Sequence, residues 1–379
     1  MLEDFYRIKI LEKSLSTSYR ILPINKGNIN IDFSTNDYLD LSRNQNILNA
    51  SNESGKIYGV GSTGSRLLSG NYSLFDIFEK KIARSHNTEA ALIFNSGFQC
   101  NLSVIACLTD KKAMKCNPLV FFDYLNHASL YQGLFLSGAQ IIRYKHNDLN
   151  HLNKLISSYK NDNRPKFIVT ETVFSMDGDI APIEAIAQIA LANNALLYLD
   201  EAHAIGMIGK DGYGVSSGID LSNNFRIIMG TFSKAIGTSG AYIACSKIMK
   251  DYIINFCPGF IYSTANSPLT LGAAYSSWCL LPQLHIKRKN INDNSKYFRD
   301  RCKSIGLDIG QSSTNIVPII LETEERALSA QKILSDNGIK VSCIRPPTVP
   351  PRKSRIRIAI RSSHSISDID KLLEILKLI

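Results

Sequence analysis

The chain has no C-x-x-C pair, no H-E-x-x-H or similar histidine spacing, and no apolar run long enough to cross a bilayer. The first two absences argue against a zinc centre, so no metal site is expected. The third excludes a transmembrane helix. Eight cysteines are present (Cys100, Cys107, Cys116, Cys245, Cys257, Cys279, Cys302 and Cys343), scattered and mostly inside apolar stretches. Buried, reduced thiols are expected rather than a disulfide framework. The opening Met-Leu-Glu-Asp-Phe-Tyr lacks the basic region and apolar stretch of a secretory leader, so the expectation is a cytoplasmic protein.

Acidic residues are in deficit: 43 Lys and Arg against 33 Asp and Glu leave a net charge of +10. No long basic tract or nucleic-acid recognition module accompanies that surplus, so no nucleic-acid partner is expected. The densest stretch is Arg352, Lys353, Arg355, Arg357 and Arg361. Arg355 and Arg357 alternate with Ile356 and Ile358, which predicts one solvated face of a strand. The surplus suits an anionic substrate or an acidic carrier partner. A compositional drift towards Lys, Ile and Asn explains it as well.

What is present is a globular composition, 44% hydrophobic and 20% charged over 379 residues, enough for a large core and more than one structural unit. From about residue 90, short apolar runs alternate with helical patterns. Strands are expected at 91–95, 120–122, 166–170, 196–200 and 227–229, with helices from Gln99 and over 183–192. That alternation predicts an α/β fold with a mostly parallel central sheet flanked by helices. Towards the end, strands at 315–321, 340–344 and 355–360 and a helix at 325–337 ending at Gly338 suggest a smaller α+β domain. Ser367-x-x-Asp370 resembles a helix start, and Ile369, Leu372, Leu373 and Leu376 then share one helical face. The expected organisation is an N-terminal arm (1–36), a large domain (37–272) and a C-terminal α+β domain (273–379).

Several polar motifs fall on strand ends, where ligands bind in open α/β sheets. Thr231-Phe-Ser-Lys234 follows an apolar strand, and Gly237 and Gly240 loosen the backbone after it. A lysine there can form a Schiff base; alone, it reads as readily as a solvated loop charge. Tyr198-Leu-Asp-Glu-Ala-His203 places Asp200 at a strand end, where an acid can hold a pyridinium nitrogen protonated. His203 could then bond a ring hydroxyl. An Asp cap with a locally satisfied His reads equally well. Asn95-Ser-Gly-Phe98 links a strand to a helix whose first N–H groups suit a phosphate. Asn126-His-Ala-Ser129 offers His127 as a ring-stacking group. Glu171-Thr-Val-Phe-Ser175 adds Glu171 and Ser175 at the same edge. Gly59-Val-Gly-Ser-Thr-Gly64 matches G-x-G-x-x-G, but Ser54–Tyr58 makes a poor central strand, so a flexible loop is expected there rather than a dinucleotide site.

Taken together, the ordered set resembles the fold-type I pyridoxal-phosphate (PLP) enzymes, and within them the α-oxoamine synthases. The resemblance spans nearly the whole chain, including Ser34-Thr-Asn-Asp-Tyr-Leu39, Gly61-Ser-Thr-Gly-Ser-Arg66 and Ile261-Tyr-Ser-Thr264. Ile344-Arg-Pro-Pro-Thr-Val-Pro350 resembles the proline-stiffened loop of the biotin-pathway branch, the 8-amino-7-oxononanoate synthases. The resemblance implies a PLP-dependent acyltransferase that joins L-alanine to pimeloyl-CoA or pimeloyl-acyl-carrier protein with loss of CO2. It implies Lys234, Asp200 and His127 as catalytic residues. Gly97, Phe98, Glu171, Ser175, His203, Thr231, Ser233, Ser263 and Thr264 would bind cofactor, the last two reaching a partner subunit's phosphate in a homodimer. Arg345 would fork onto the amino-acid carboxylate, with Thr348, Asn36, His127 and Arg20 also contacting substrate. This chain departs from the pattern at Asp40, a usual glycine; at Ala204-Ile205; at Tyr213, often arginine; and at Ala235-Ile236. Another α-oxoamine synthase, using glycine or serine with a different acyl-CoA, shares the same catalytic set. A catalytically silent scaffold should have lost the lysine or its acid partner, and both are present.

Overall fold

The computed structural model describes residues 2–14, 19–22, 31–223 and 225–379. The chain divides into a larger unit, Asn36–Ser175 with Ile180–Arg288, and a smaller one, Met1–Thr35 with Met176–Asp179 and Lys289–Ile379.

The larger unit is built on a seven-stranded sheet. In spatial order its strands are Ala90–Phe94, Ala241–Cys245, Arg226–Thr231, Ala195–Asp200, Lys166–Glu171, Leu119–Asp123 and Gln140–Tyr144. Arg226–Thr231 and the four strands after it run parallel, whereas Ala241–Cys245 is antiparallel to both its neighbours. Leu119–Asp123 and Ala195–Asp200 are buried at every position, as helices on both faces of a parallel sheet require. Two of the strands, Gln140–Tyr144 and Ala241–Cys245, had no clear sequence signal. The helix expected from Gln99 begins earlier, at Gly97, because Ser96 Oγ accepts the Gln99 N–H and caps it. Residues 59–64 follow the helix Gln45–Tyr58 rather than a strand, so the dinucleotide context is absent. That helix packs closely on Pro268–Leu280: a Cβ on Gly272 would lie 1.9 Å from Ser54 Oγ.

The smaller unit holds a three-stranded antiparallel sheet, Ser342–Ile344, Ser354–Ala359 and Ile316–Glu322, and a two-stranded parallel pair, Ile31–Asp32 with Ile339–Lys340. Residues Leu2–Ser14 form a helix with no buried side chain. Two expectations are corrected here. Arg355 and Arg357 are not solvated; each is 3% exposed. Their strand is the middle one of its sheet, and Arg355 donates to Asp177 Oδ1 at 2.7 Å and Met176 O at 3.1 Å. A charge can be buried when partners of this kind meet it, so alternation alone misleads. The last helix, Ile366–Leu376, is capped by Ser365, not Ser367. Ser365 Oγ accepts the Asp368 N–H at 3.1 Å, and Asp368 Oδ2 accepts the Ser365 N–H at 2.9 Å. The four predicted apolar residues of that helix are buried.

His86 sets a pH limit on the larger unit. Its Nε2 lies 2.8 Å from the Tyr242 hydroxyl, and burial, reinforced by Arg226, pushes its pKa from 6.5 down to about 3. Between those values the unfolded chain binds a proton that the folded chain refuses. Stability from this group is therefore full above pH 6.5 and falls as pH drops towards 3, at most about 1.4 kcal/mol per pH unit. His86→Leu should flatten that slope. Urea midpoints at pH 7 and pH 5 check it; an equal drop in wild type and variant would refute it.

Candidate active site

The carboxyl ends of the parallel strands surround a cavity of about 240 Å³ in the larger unit. Lys234, Asp200, His127, Glu171, His203, Thr231, Ser233, Gly97 and Phe98 all line it, with Ser96, Asn101, Ser129, Ala202 and Met229. Groups far apart in sequence thus meet because each ends or follows a strand of one sheet.

Lys234 sits in a tight return between Arg226–Thr231 and Ala241–Cys245. Phe232 N–H donates to Gly240 O at 2.8 Å and Gly237 N–H to Lys234 O at 2.8 Å. Gly237 has φ +74, and a Cβ there would lie 2.5 Å from Ser42 N, so only glycine fits. Thr231 Oγ1 donates to Gly240 O at 2.9 Å and accepts the Ser233 N–H at 3.3 Å. Opposite, the helix Gly97–Leu108 opens on the cavity with N–H groups that have no intrahelical acceptor. A Cβ on Gly97 would stand 3.2 Å from Met229 Cε and 3.5 Å from Thr231. Glycine therefore keeps this corner open.

Asp200 accepts the Ala202 N–H at Oδ1 (2.9 Å) and Asn101 Nδ2–H at Oδ2 (2.7 Å). Its register partner is Glu171, which is 3% exposed. Burial holds the Glu171 carboxyl well above the usual carboxylate range; Asp200 pushes the same way and Lys234 opposes. Glu171 Oε2 accepts the Ser175 N–H at 3.3 Å, whereas its Oε1 is buried without a protein partner. His127 caps the helix Ala128–Ser137, and burial lowers its pKa, against the pull of Asp200. His203 Nδ1 lies 2.8 Å from the hydroxyl of Tyr38, which also donates to Asn36 Oδ1 at 3.1 Å.

The remaining predicted residues lie elsewhere. Ser175 is one contact removed, through Glu171, and Asn36 two, through Tyr38 and His203. Ser263 and Thr264 border a separate small hollow with Asn95 and Gln99; Gln99 Nε2 donates to Ser263 Oγ at 2.6 Å. Arg20, Arg345 and Thr348 belong to the smaller unit and there line a second cavity of about 190 Å³, with Arg20 Nη2 donating to Thr348 Oγ1 at 3.4 Å. Asn101, Ser129 and Tyr38 are polar groups at the site to which the sequence assigned no role. A groove of about 1220 Å³ lies at the amino ends of the strands, near Lys166 and Leu196. Its Arg164 is already paired with Asp162 at 2.7 Å.

The sequence matches the aminotransferase class I and II family over residues 28–376. A relative from Paramagnetospirillum magneticum, named "Putative 8-amino-7-oxononanoate synthase", is 47% identical over 90% of this chain and 86% of its own length. The chain belongs to the 8-amino-7-oxononanoate synthase family. Among solved structures, 8-amino-7-oxononanoate synthase from Francisella tularensis is 31% identical with a TM-score of 0.80, covering 93% of this chain and 98% of that one. Serine palmitoyltransferase from S. paucimobilis with bound PLP–myriocin aldimine is 26% identical with a TM-score of 0.88, covering 99% and 96%.

Like its family, the chain is a PLP-dependent acyltransferase of fold type I. The cavity fits that cofactor. It combines a lysine amine, a carboxylate, an imidazole, a helix N-terminus cleared by Gly97, and an unpartnered buried carboxyl oxygen on Glu171. No described helix is long and apolar enough to cross a membrane, and no described cluster of His, Cys, Asp and Glu could hold a metal ion. The described cysteines are free thiols, five of them buried.

Glu171 yields a prediction. Its folded pKa lies above its ordinary 4.5, so from about pH 4.5 upward the folded chain holds a proton that the unfolded chain has lost. Stability from this group therefore falls as pH rises through that window, by up to about 1.4 kcal/mol per pH unit. Glu171→Gln should gain on wild type as pH rises from 5 to 7. A pH-independent difference in urea midpoint would contradict the assignment.

Proposed function

We propose that this family member condenses L-alanine with a pimeloyl thioester, carried on CoA or an acyl-carrier protein, releasing CO2 and free thiol to give 8-amino-7-oxononanoate. The observation that carries this reading is the convergence of Lys234, Asp200, His127 and Thr231 on one cavity headed by a helix N-terminus. The 47% identity to a relative of that name supports the substrate pair.

When bound, PLP supplies an electron sink for the pair left at the alanine Cα. The chain's residues supply the rest. Lys234 Nζ would anchor the cofactor and, once displaced by the substrate amine, would take the Cα proton. Asp200, held by two N–H donors, would keep the ring nitrogen protonated. His127 would lie against the ring, and Glu171, Ser175 and His203 would meet its polar substituents. The N–H groups of Gly97 and Phe98, with Thr231 and Ser233, would receive the phosphate. Arg345 would fork onto the substrate carboxylate, with Thr348, Asn36 and Arg20 also contacting substrate. A cytoplasmic homodimer is part of the same reading, with Ser263 and Thr264 turned to the partner's phosphate. Exposed Phe98, Tyr124, Phe135 and Tyr262 are the kind of apolar surface a second subunit would cover.

Wild-type protein purified with PLP should absorb visible light and fix the cofactor on borohydride reduction. Lys234→Ala should abolish that fixation and lower kcat by about 10²–10⁴-fold or more. Persistent reductive fixation in the variant would overturn the anchor. A panel of alanine, glycine and serine against pimeloyl, acetyl, succinyl and palmitoyl thioesters tests the substrates. CO2 release with alanine and pimeloyl thioester alone is expected. Turnover of serine with palmitoyl thioester would instead place the chain with the serine palmitoyltransferases it resembles in fold.

A further inference from the structure

We propose that Asn101 is a positioning residue that joins Asp200 to His127, setting the rotamer of the first and the tautomer of the second. The proposal rests on reading both as cofactor-facing groups. Asn101 is 2% exposed and stands one turn into the helix Gly97–Leu108. Its amide is used on both sides. Nδ2 donates to Asp200 Oδ2 at 2.7 Å and to Ser129 Oγ at 3.0 Å, while Oδ1 accepts the Tyr198 hydroxyl at 2.8 Å. The amide cannot be flipped, because Oδ1 would then face the Asp200 carboxylate. Tyr198 is two residues before Asp200 on one strand, hence on the same face. The strand therefore presents donor and acceptor to one amide.

The second branch fixes His127. Ser129 Oγ accepts from Asn101, so its own hydrogen is left for His127 Nδ1, 2.7 Å away. The Ser129 backbone N–H also donates to Nδ1, at 3.2 Å. With two donors aimed at it, Nδ1 keeps its lone pair, and the single ring proton of the neutral imidazole sits on Nε2. A neutral ring suits stacking beside a cationic pyridinium, where an imidazolium would be repelled. No other side chain of this size offers two donors and an acceptor in these directions. Aspartate at 101 would set two carboxyl groups against each other, and leucine would strand Tyr198, Ser129 and Asp200 Oδ2 without partners.

The test uses holoenzyme carrying ¹⁵N-labelled histidine. In wild type the His127 signals should be those of a neutral ring protonated at Nε2. Asn101→Ala should free the Ser129 hydroxyl to turn away, giving mixed tautomer signals. It should also weaken PLP binding and lower kcat, each about 10–100-fold, with the KM for the amino acid little changed. Asn101→Asp should weaken PLP binding further. Ser129→Ala leaves the Asn101–Asp200 bond in place; it should disturb the His127 signals while weakening PLP less than Asn101→Ala does, and it keeps the proposal testable if Asn101 variants fail to fold. Wild-type His127 signals and unchanged cofactor affinity in Asn101→Ala would overturn the positioning role. So would Ser129→Ala weakening PLP as much as Asn101→Ala does. If wild type binds no PLP at all, the reading of the cavity itself fails instead.

Discussion

Four carboxyl groups, of Asp123, Glu171, Asp200 and Glu201, are buried at one sheet edge, and how each is kept there shapes the site. Glu171 and Asp200 face each other in register on neighbouring parallel strands, and Glu201 follows directly. Like charges this close cannot all ionise without partners. Asp200 receives two N–H donors. Burial pushes the Glu171 carboxyl up, with one backbone donor, from Ser175, opposing it. Glu201, fully buried, accepts the Val215 and Ser216 N–H groups at 2.8 and 2.7 Å and the Thr172 hydroxyl at 3.1 Å. It thereby folds the 201–216 loop back on itself. Asp200 and Glu171 line the cavity of Lys234, whereas Glu201 is spent on structure.

This division depends on the parallel sheet. Parallel strands send all their carboxyl ends to one edge, so Asp123, Glu171, Asp200 and Thr231 accumulate there. Asp123 is managed as Glu201 is: it accepts Leu125 N–H at 2.9 Å, Asn147 N–H at 3.0 Å and His146 Nδ1–H at 3.0 Å. That pins the turn leading to His127. The antiparallel strand Ala241–Cys245 contributes differently, by returning Gly240 to Thr231 and closing the lysine loop.

Much of this was legible in the sequence because strand-end motifs announce themselves. Apolar runs followed by D-E-A-H, T-F-S-K or N-S-G-F put a polar group just past a buried strand, and each such residue is where that reading set it. Asn101 was not legible. It lies in Gln99-Cys-Asn-Leu-Ser-Val104, where one of several small polar residues in a mostly apolar helix gives no sign of its partners. Two of those partners, Tyr198 and Asp200, sit on a strand nearly a hundred residues later. Arg355 and Arg357 misled for a related reason. Periodicity reports which face a side chain takes, but burial depends on whether distant chain segments supply acceptors. The segment Met176–Asp179, far off in sequence, supplies them to Arg355.

The departures from the family pattern are accommodated in the framework rather than at the cavity. Asp40 adopts φ +53, a conformation glycine takes freely and aspartate tolerates better than most residues. Ala204, Ile205, Ala235 and Ile236 are all buried at 1% exposure or less. A Cβ on Gly206 would lie 2.5 Å from the Ala235 Cβ. The two loops therefore interlock at a point where a glycine meets an alanine, and a larger residue at 235 would need space at 206. Tyr213 packs its ring 5.0 Å from that of Trp278 and donates to the Trp278 carbonyl at 3.4 Å. Nearby, the Arg288 guanidinium donates to Leu281 O at 2.7 Å and packs so close to Gly212 that a Cβ there would lie 2.9 Å from Nη1. The arginine buried at this corner comes from position 288. None of these residues lines the cavity of Lys234, so those at 204, 205 and 213 bear on how the 201–216 loop is held, and through Glu201 on the residue beside Asp200, not on which groups line that cavity.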